Sequence, residues 1–251
     1  MCGRFAITTD PALLALRMDA INEIPATADS GPNYNVAPTD SIATVVSRYT
    51  ALHGPADEPT RRVRLMRWGL VPPWAKAGPA GTPASGSPLM INARAETVTT
   101  APAYRAAVER RRCLVPMDGY YEWRAGPGVP KAPKTPFYIH GDGAMLFAAG
   151  LWSVWRPDRR RDPLLSIAII TTEAVGELAG IHDRMPLLLS ENPWDSWLDP
   201  DAPVDTMLLA EPPDVRRITV REVSTLVNSV RNNSPELIAP AVPHPEQATL
   251  L

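Results

Sequence analysis

The sequence predicts an α+β fold, in which one domain is built around a curved, mostly antiparallel, barrel-like β-sheet with short flanking helices. Strand-like segments recur along the chain and are separated by turns rich in Gly, Pro and charged residues. Nothing in the 251 residues marks a boundary between two folded units, and 45% apolar residues suffice for one core. We expect a domain over residues 1–240 and a mobile, proline-bearing tail over residues 241–251.

The first third of the chain carries local signals for one helix and two strands. Asp10 followed by Pro11 is typical of an N-cap and first helical turn. Two prolines and two asparagines predict a loop over residues 31–38. A run of β-branched residues then predicts a strand at Ser41–Ser47, and a second strand is expected at Val63–Trp68.

The rest of the chain is predicted to be rich in β-strands. A Gly/Pro/Ser/Ala run indicates a flexible surface loop over residues 78–88. Good helix formers that end in arginines predict a helix at Ala103–Arg112, and a shorter helix is expected at Pro193–Leu198. Alternation predicts a strand at Arg217–Val223. The central strand patterns are Cys113–Val115, Pro136–His140, Ala144–Trp155 and Leu164–Thr171.

Composition leaves the ligand class open. The net charge is −2, so no global field attracts nucleic acid. Only three of the 25 basic residues are lysines. The arginine fork suits phosphate, although a GC-rich genome explains the same bias. The chain lacks an apolar run of about 18 residues and a signal-peptide pattern, so we expect a bacterial cytoplasmic protein that contacts no membrane.

Cys2 is the residue with the most distinctive chemistry, because it directly follows Met1. Removal of Met1 would leave an α-amine and a thiol on adjacent carbons, with ordinary pKa values of about 7.7–8.0 and about 8.5. Such a 1,2-aminothiol condenses with an aldehyde to a Schiff base and then closes a thiazolidine ring. Alternatively, Cys2 is only a small residue that permits methionine removal. The other cysteine, Cys113, starts an apolar run and is expected to be a buried core residue.

Two further titratable residues stand in polar segments with apolar surroundings. Glu122 lies between Tyr121 and Trp123, where burial would raise its pKa and fit it for proton transfer, although an exposed strand carboxylate fits the same pattern. His182 lies in a His-Asp-Arg segment and is either a proton shuttle or a structural residue. No zinc-ligand spacing or glycine-rich phosphate loop is present, so we expect neither a metal nor a cofactor.

Six short motifs occur in one order along the chain. They are Cys2-Gly3-Arg4-Phe5, Tyr34-Asn35-Val36-Ala37-Pro38, Trp68-Gly69-Leu70, Asn92-Ala93-Arg94-Ala95-Glu96, Gly119-Tyr120-Tyr121-Glu122-Trp123 and Ile181-His182-Asp183-Arg184-Met185-Pro186. Each motif is weak alone, but the ordered set is specific. The sequence resembles the SOS-response-associated peptidase (SRAP) family from Met1 to roughly Pro240, with no departure at the expected reactive positions.

The resemblance implies a sensor of abasic sites in single-stranded DNA that forms a DNA–protein crosslink. The N-terminal Cys2 would trap the sugar aldehyde as a thiazolidine and protect the lesion. Asn92 would hold the opened sugar and the amine, Glu122 would position or deprotonate the amine, and His182 would shuttle protons. The family name also implies peptidase (hydrolase-class) activity, in the form of self-removal of Met1. Schiff-base chemistry of the Cys2 amine would in addition permit a secondary abasic-site lyase activity.

The same resemblance suggests how DNA is bound. We expect Arg4, Arg94 and Arg184 to hold phosphates beside the lesion, because each lies within two residues of a proposed reactive residue. Trp68 and Pro38 would offer surfaces on which flanking bases stack. Thr171 would line the pocket. We expect a monomer that joins the nucleoid on DNA damage, with replication or repair proteins as further partners.

Two other function classes remain open at this point. The start Met1-Cys2-Gly3 also fits an N-terminal-nucleophile amidohydrolase, although the later motifs are unlike that class. A non-covalent reader of single-stranded or modified-base DNA would need the arginines and Trp68 but not Cys2. Covalent capture additionally requires that residue 2 be unblocked and reachable from solvent.

Overall fold

The computed structural model describes residues 2–28, 30–49, 58–79, 81–126, 133–158 and 160–241. The helices are α1 (Pro11–Arg17), α2 (Arg105–Arg110), α3 (Trp194–Leu198) and α4 (Thr206–Ala210), with 3-10 turns at Gly176–Gly180, Thr225–Asn228 and Pro235–Ile238. The strands are β1 (Phe5–Ile7), β2 (Ile21–Asn22), β3 (Asn33–Val36), β4 (Ser41–Arg48), β5 (Thr60–Trp68), β6 (Asn92–Arg94), β7 (Arg112–Met117), β8 (Gly119–Arg124), β9 (Thr135–His140), β10 (Leu146–Trp155), β11 (Leu164–Glu173), β12 (Arg184–Pro186) and β13 (Thr219–Glu222).

The larger sheet closes on itself. Strand β11 pairs antiparallel with β10, and the antiparallel order continues through β7 and β4 to β5. A parallel pairing of β5 with β11, with Trp68 opposite Ile167, closes a ring of five strands. Closure removes the unpaired edges that an open sheet would expose. The predicted α+β fold with a curved, mostly antiparallel, barrel-like sheet is therefore confirmed.

A second sheet packs beside this ring and carries the N-terminus. Its strands follow the order β13-β9-β8-β1-β3. Strand β8 begins at Gly119, where a Cβ atom would lie 2.5 Å from the Tyr138 ring, so only glycine allows this close approach. The pairing of Phe5 with Tyr120 places β8 directly alongside the first residues of the chain.

Three of the ring strands, β7, β10 and β11, are buried on both faces. One face packs with residues of the helices, such as Leu14 of α1 and Trp197 of α3. The other face packs with residues of the second sheet, such as Phe5 and Tyr120. Burial on both faces explains the continuous apolar runs of β7, β10 and β11, where simple alternation is absent.

Most predicted elements are present, with differences at the ends and in one loop. Helix α1 begins at Pro11, and Asp10 caps it by accepting a hydrogen bond from the Ala12 N–H at 2.7 Å. The segment predicted as a loop over residues 31–38 contains strand β3, because β1 supplies the hydrogen-bonding partner that local sequence does not reveal. Residues 242–251 of the predicted tail lie outside the described residues.

Candidate functional site

Cys2 lies immediately before β1 and is fully buried, with 0% of its surface exposed. The Asn92 Nδ2 group donates a hydrogen bond to the Cys2 carbonyl at 2.8 Å, which fixes the backbone of the N-terminus against β6. Burial raises the pKa of the Cys2 thiol well above its usual range, and the negative charge of Glu122 raises it further. In this state, with Met1 still attached, the sulfur is a protonated thiol and is closed off from solvent.

Glu122 projects from β8 into the same region and is 3% exposed. Burial raises the pKa of its carboxyl group, while the positive charges of the amino terminus and of His182 oppose that rise. Of the two alternatives left open by the sequence, the structure shows the buried carboxyl. A buried carboxylate with a raised pKa binds a proton more tightly than an exposed one, which suits it to proton transfer.

His182 follows the 3-10 turn Gly176–Gly180 and is half-buried. Its Nδ1 atom accepts a hydrogen bond from the Arg184 backbone N–H at 3.0 Å and lies 2.6 Å from Asp183 Oδ1. The first contact suits an Nδ1 atom without a proton, and the second suits an Nδ1 atom that carries one. The Nδ1 atom of His182 therefore has a partner with or without a proton.

Asn92 is held on β6 by parallel pairing with β11, where it stands opposite Ile169. The Tyr104 hydroxyl donates to the Asn92 backbone carbonyl at 3.0 Å. The side-chain Oδ1 of Asn92 is buried and has no hydrogen-bond partner in the described part of the chain. An unsatisfied buried acceptor costs about 1–3 kcal/mol, so this oxygen is well suited to take a hydrogen bond from a ligand or from a free α-amine.

The structure thus brings together the four residues predicted to react. Asn92 contacts Cys2 directly, Glu122 interacts electrostatically with Cys2, and His182 interacts with Glu122. Thr171 lies at the edge of this group and is fully buried, where its carbonyl accepts a hydrogen bond from Arg184 at 2.5 Å. Within the described ranges, no cluster of three or more His, Cys, Asp or Glu residues has the geometry of a metal site.

Two of the three predicted phosphate-binding arginines are already engaged within the protein. Arg4 donates to Asn35 Oδ1 at 2.7 Å and to the Val227 carbonyl at 2.9 Å. Arg184 forms a two-pronged ion pair with Glu96 at 2.6 and 2.9 Å, and this pairing lowers the pKa of Glu96. Arg94 differs from both because its side chain is exposed.

The prediction that Trp68 offers a stacking surface needs correction. Trp68 is fully buried, its ring centroid lies 5.1 Å from that of Phe5, and its Nε1–H donates to the Ile91 carbonyl at 3.0 Å. Packing between the ring and the second sheet covers the indole, so it presents no face to a base. Pro38 is half-buried in the loop between β3 and β4.

Two residues that sequence reasoning missed stand out in the structure. Trp74 is 61% exposed and lines a cavity of about 660 Å³ with Met90, two residues before Asn92. Tyr120 is fully buried beside Cys2 and Glu122. The period-2 alternation of β8, which puts Tyr120 and Glu122 on one face, was the signal available in the sequence.

Comparisons with known proteins identify relatives of this chain. A family model described as SOS response associated peptidase (SRAP) matches residues 1–230. Abasic site processing protein YoqW of Bacillus subtilis is 36% identical over 95% of this chain and 99% of its own length. Abasic site processing protein HMCES of Gallus gallus is 32% identical over 87% of this chain and 70% of its own.

Solved structures show the same fold. A protein from Bacteroides thetaiotaomicron superimposes with a TM-score of 0.78 at 23% identity, covering 96% of this chain and 100% of the other. A phage-related protein from Bordetella bronchiseptica gives a TM-score of 0.66 at 30% identity, covering 88% and 94%. No helix in the described stretches is long and apolar enough to cross a membrane. Taken together, the sequence match and the shared fold show that this chain belongs to the SOS response associated peptidase (SRAP) family.

Proposed function

We propose that this protein processes abasic sites in single-stranded DNA by capturing them covalently through Cys2, which shields the lesion. The observation that carries the proposal is the convergence of Asn92, Glu122 and His182 on an N-terminal cysteine. The names of the relatives, abasic site processing proteins, support the same substrate. The finer chemistry follows from what these four groups can do.

Capture begins with the removal of Met1, which frees the Cys2 amine. The amine attacks the aldehyde carbon of the ring-opened sugar, and loss of one water gives a Schiff base. The sulfur then adds to the same carbon, and the C=N electron pair returns to nitrogen, which takes up a proton. Glu122 accepts the proton from the amine, His182 passes protons between intermediates, and Asn92 Oδ1 orients the amine or the sugar hydroxyls.

The burial of Cys2 sets a condition on this scheme. The expectation that residue 2 is reachable from solvent is not met while Met1 is attached, because Cys2 is 0% exposed. We propose that removal of Met1 opens the pocket as well as freeing the amine. Glu122 and His182 are placed to assist this cleavage, which would make the protein its own peptidase. Intact-mass measurement of Glu122→Gln and His182→Ala variants tests this step, since retained Met1 is expected only if the protein processes itself.

The proposed DNA path differs in one residue from that expected from the sequence. Arg94 provides an exposed charge two residues from Asn92. Trp74, with its exposed ring, replaces the buried Trp68 as the proposed surface for a flanking base. Pro38 remains a proposed apolar surface for a flanking base. Arg4 and Arg184, although engaged within the protein, remain proposed positive charges near the DNA phosphates. The proposed setting is the bacterial nucleoid, with the protein acting as a monomer.

The test of capture is a denaturing gel of the protein with an abasic oligonucleotide. Wild type and Cys113→Ser, which alters the other buried cysteine, are expected to give a shifted band that survives denaturation. Cys2→Ser is expected to give none after long incubation, because an oxygen replaces the sulfur. A Cys2→Ser band equal to wild type contradicts thiazolidine formation. If the protein binds the abasic oligonucleotide without denaturant but forms no covalent band, a non-covalent binding module would be favoured instead.

A secondary lyase activity follows from the first half of the same chemistry. A Schiff base at the abasic carbon permits elimination of the 3′ phosphate, and this requires an amine but no sulfur. Cys2→Ala keeps the α-amine, so we expect it to retain strand cleavage while losing the stable crosslink. This activity would be contradicted if borohydride traps a Schiff base of Cys2→Ala in one sample while a parallel sample without borohydride shows no strand cleavage.

A further inference from the structure

The Tyr120 hydroxyl is a buried polar group that lacks a hydrogen bond. The residue is 0% exposed, and its oxygen has no partner anywhere in the described part of the chain. Burying a hydroxyl without a partner costs about 1–3 kcal/mol, and such exceptions in folded proteins call for an explanation. A phenylalanine would fill the same space without that cost.

The position of Tyr120 is fixed by the β1–β8 pairing. Tyr120 stands opposite Phe5, and the neighbouring Tyr121 N–H donates to the Arg4 carbonyl at 2.9 Å, so the start of the chain runs alongside β8. Alternation along β8 places Tyr120 on the same face as Glu122. Tyr120 also belongs to the same packed cluster as Cys2. The phenol, the thiol and the carboxyl group therefore share one pocket.

Two other tyrosines near the pocket, Tyr121 and Tyr104, differ from Tyr120 because their hydroxyl groups are hydrogen-bonded. The Tyr121 hydroxyl donates to the Tyr34 carbonyl at 2.7 Å and packs in a different cluster on the opposite face of β8. The Tyr104 hydroxyl donates to the Asn92 carbonyl at 3.0 Å. An orphan hydroxyl is therefore a property of the Cys2 pocket and not a general feature of tyrosines in this fold.

Burial favours the neutral phenol of Tyr120, which is a hydrogen-bond donor. Burial raises the pKa of Tyr120 well above its usual range, and charges on Cys2 and Glu122 raise it further. The same pocket makes a thiolate costly, because burial and the charge of Glu122 both raise the pKa of Cys2. A neutral hydrogen-bond donor beside the sulfur would offset the cost of forming the thiolate without transferring its own proton to the sulfur.

We propose that the Tyr120 hydroxyl donates a hydrogen bond to the Cys2 sulfur as it becomes a thiolate, and so promotes closure of the thiazolidine ring. This inference rests on the proposed covalent capture. In the step, a base takes the thiol proton, the sulfur pair forms the C–S bond, and the C=N pair returns to nitrogen and is protonated. Tyr120 keeps its own proton throughout. Schiff-base formation, which precedes this step and uses only the amine, does not need the phenol.

The test separates the two steps in Tyr120→Phe, which removes one oxygen and preserves the ring. Borohydride added at early times traps the Schiff base, and its yield is expected to match wild type. The stable crosslink formed without borohydride is expected to appear about 10- to 100-fold more slowly, the range for a lost hydrogen bond to a charged group. The melting temperature is expected to stay level or rise, because an unsatisfied hydroxyl has been removed.

Tyr121→Phe is the matched control. It removes a hydroxyl from the adjacent buried residue and breaks the bond to the Tyr34 carbonyl, so it is expected to lower the melting temperature and leave both chemical steps unchanged. Equal crosslinking rates in Tyr120→Phe and wild type would overturn the role of Tyr120, as would equal slowing of both steps. Failure of wild type to form either adduct would instead overturn the proposed capture itself.

Discussion

At the scale of single residues, burial decides what each group in the pocket can do. Glu122 and Cys2 are both almost completely buried, and burial raises the pKa of both. For Glu122 a raised pKa makes the carboxylate a stronger proton acceptor, whereas for Cys2 it produces a thiol that needs help to ionise. Burial in the pocket therefore disfavours the charged form of both groups.

Replacement of Glu122 by Gln tests this environment through stability. Above the pKa of an unfolded glutamate, about 4.3, the folded protein keeps a proton that the unfolded chain releases. Wild-type stability should therefore fall as pH rises toward the raised folded value, whereas Glu122→Gln lacks this dependence. Urea unfolding from about pH 4 to about pH 7 should show the variant gaining relative to wild type. A constant or shrinking difference would contradict a raised pKa.

Sequence reasoning reached some of these residues and not others. Local sequence singled out Cys2, Glu122 and His182, and the family resemblance added Asn92. Neither revealed that Trp68 is covered, because its burial depends on packing between parts of the chain that are distant in sequence. The orphan hydroxyl of Tyr120 was equally out of reach, because a missing partner is a property of packing.

At the scale of elements, the loop between β3 and β4 holds backbone strain next to a proposed DNA contact. Thr39, directly after Pro38, has a φ of +85°, a region that a β-branched residue rarely adopts. Its N–H donates to the Trp68 carbonyl at 2.8 Å, which anchors the loop to the end of β5. Backbone strain of this kind costs of order 1–3 kcal/mol and persists only where the surroundings enforce it.

Thr39→Gly should relieve this strain. Glycine adopts positive φ freely but loses more entropy on folding, so we expect a net stabilisation of about 0.5–1 kcal/mol. Chemical denaturation measures the change. Thr44→Gly in the middle of β4, where no positive φ is present, serves as the control and should destabilise the protein. A loss of stability in Thr39→Gly similar to that of the control would show that position 39 is unstrained.

Arg112 joins the helices to the ring of strands. From the start of β7 its guanidinium donates to backbone carbonyls of Trp197 at 2.5 Å, Val108 at 2.8 Å and Ala202 at 2.9 Å, and it is 3% exposed. Arg112→Met should lower the free energy of unfolding by about 2–4 kcal/mol, because several buried carbonyls lose their donor. A comparable change at the exposed Arg216 should cost less than about 0.5 kcal/mol.

Element prediction succeeded where local pattern and final environment agree. A β-branched run located β4, a second strand prediction located the end of β5, and the Asp-Pro signal located α1. Strand β3 was missed because its prolines and asparagines favour a loop, and only the pairing with β1 makes it extended. The sequence did not predict which residues of β5 and β11 pair to close the ring. The two strands are far apart in sequence, and no local feature of either strand indicates the other as its partner.

At the scale of the whole molecule, a net charge of −2 means that DNA affinity depends on where the arginines lie. The exposed Arg94 is the proposed phosphate contact beside the pocket. Arg94→Ala should reduce the slope of log K against log salt by about 0.7, the value for one phosphate contact on a single strand. Arg216 is also exposed but lines a cavity that does not include the residues of the Cys2 pocket. Arg216→Ala should therefore leave the slope unchanged. Fluorescence anisotropy with an unmodified oligonucleotide measures both.

The central claim is that Cys2 becomes a free terminal aminothiol and joins to an opened abasic sugar. Intact-mass spectrometry of the protein after incubation with a short abasic oligonucleotide tests it most directly. The account predicts a chain lacking one methionine residue, carrying one oligonucleotide and lighter than their sum by one water. A chain that keeps Met1 and carries no adduct, under conditions in which the oligonucleotide aldehyde reacts with free cysteine, would contradict it.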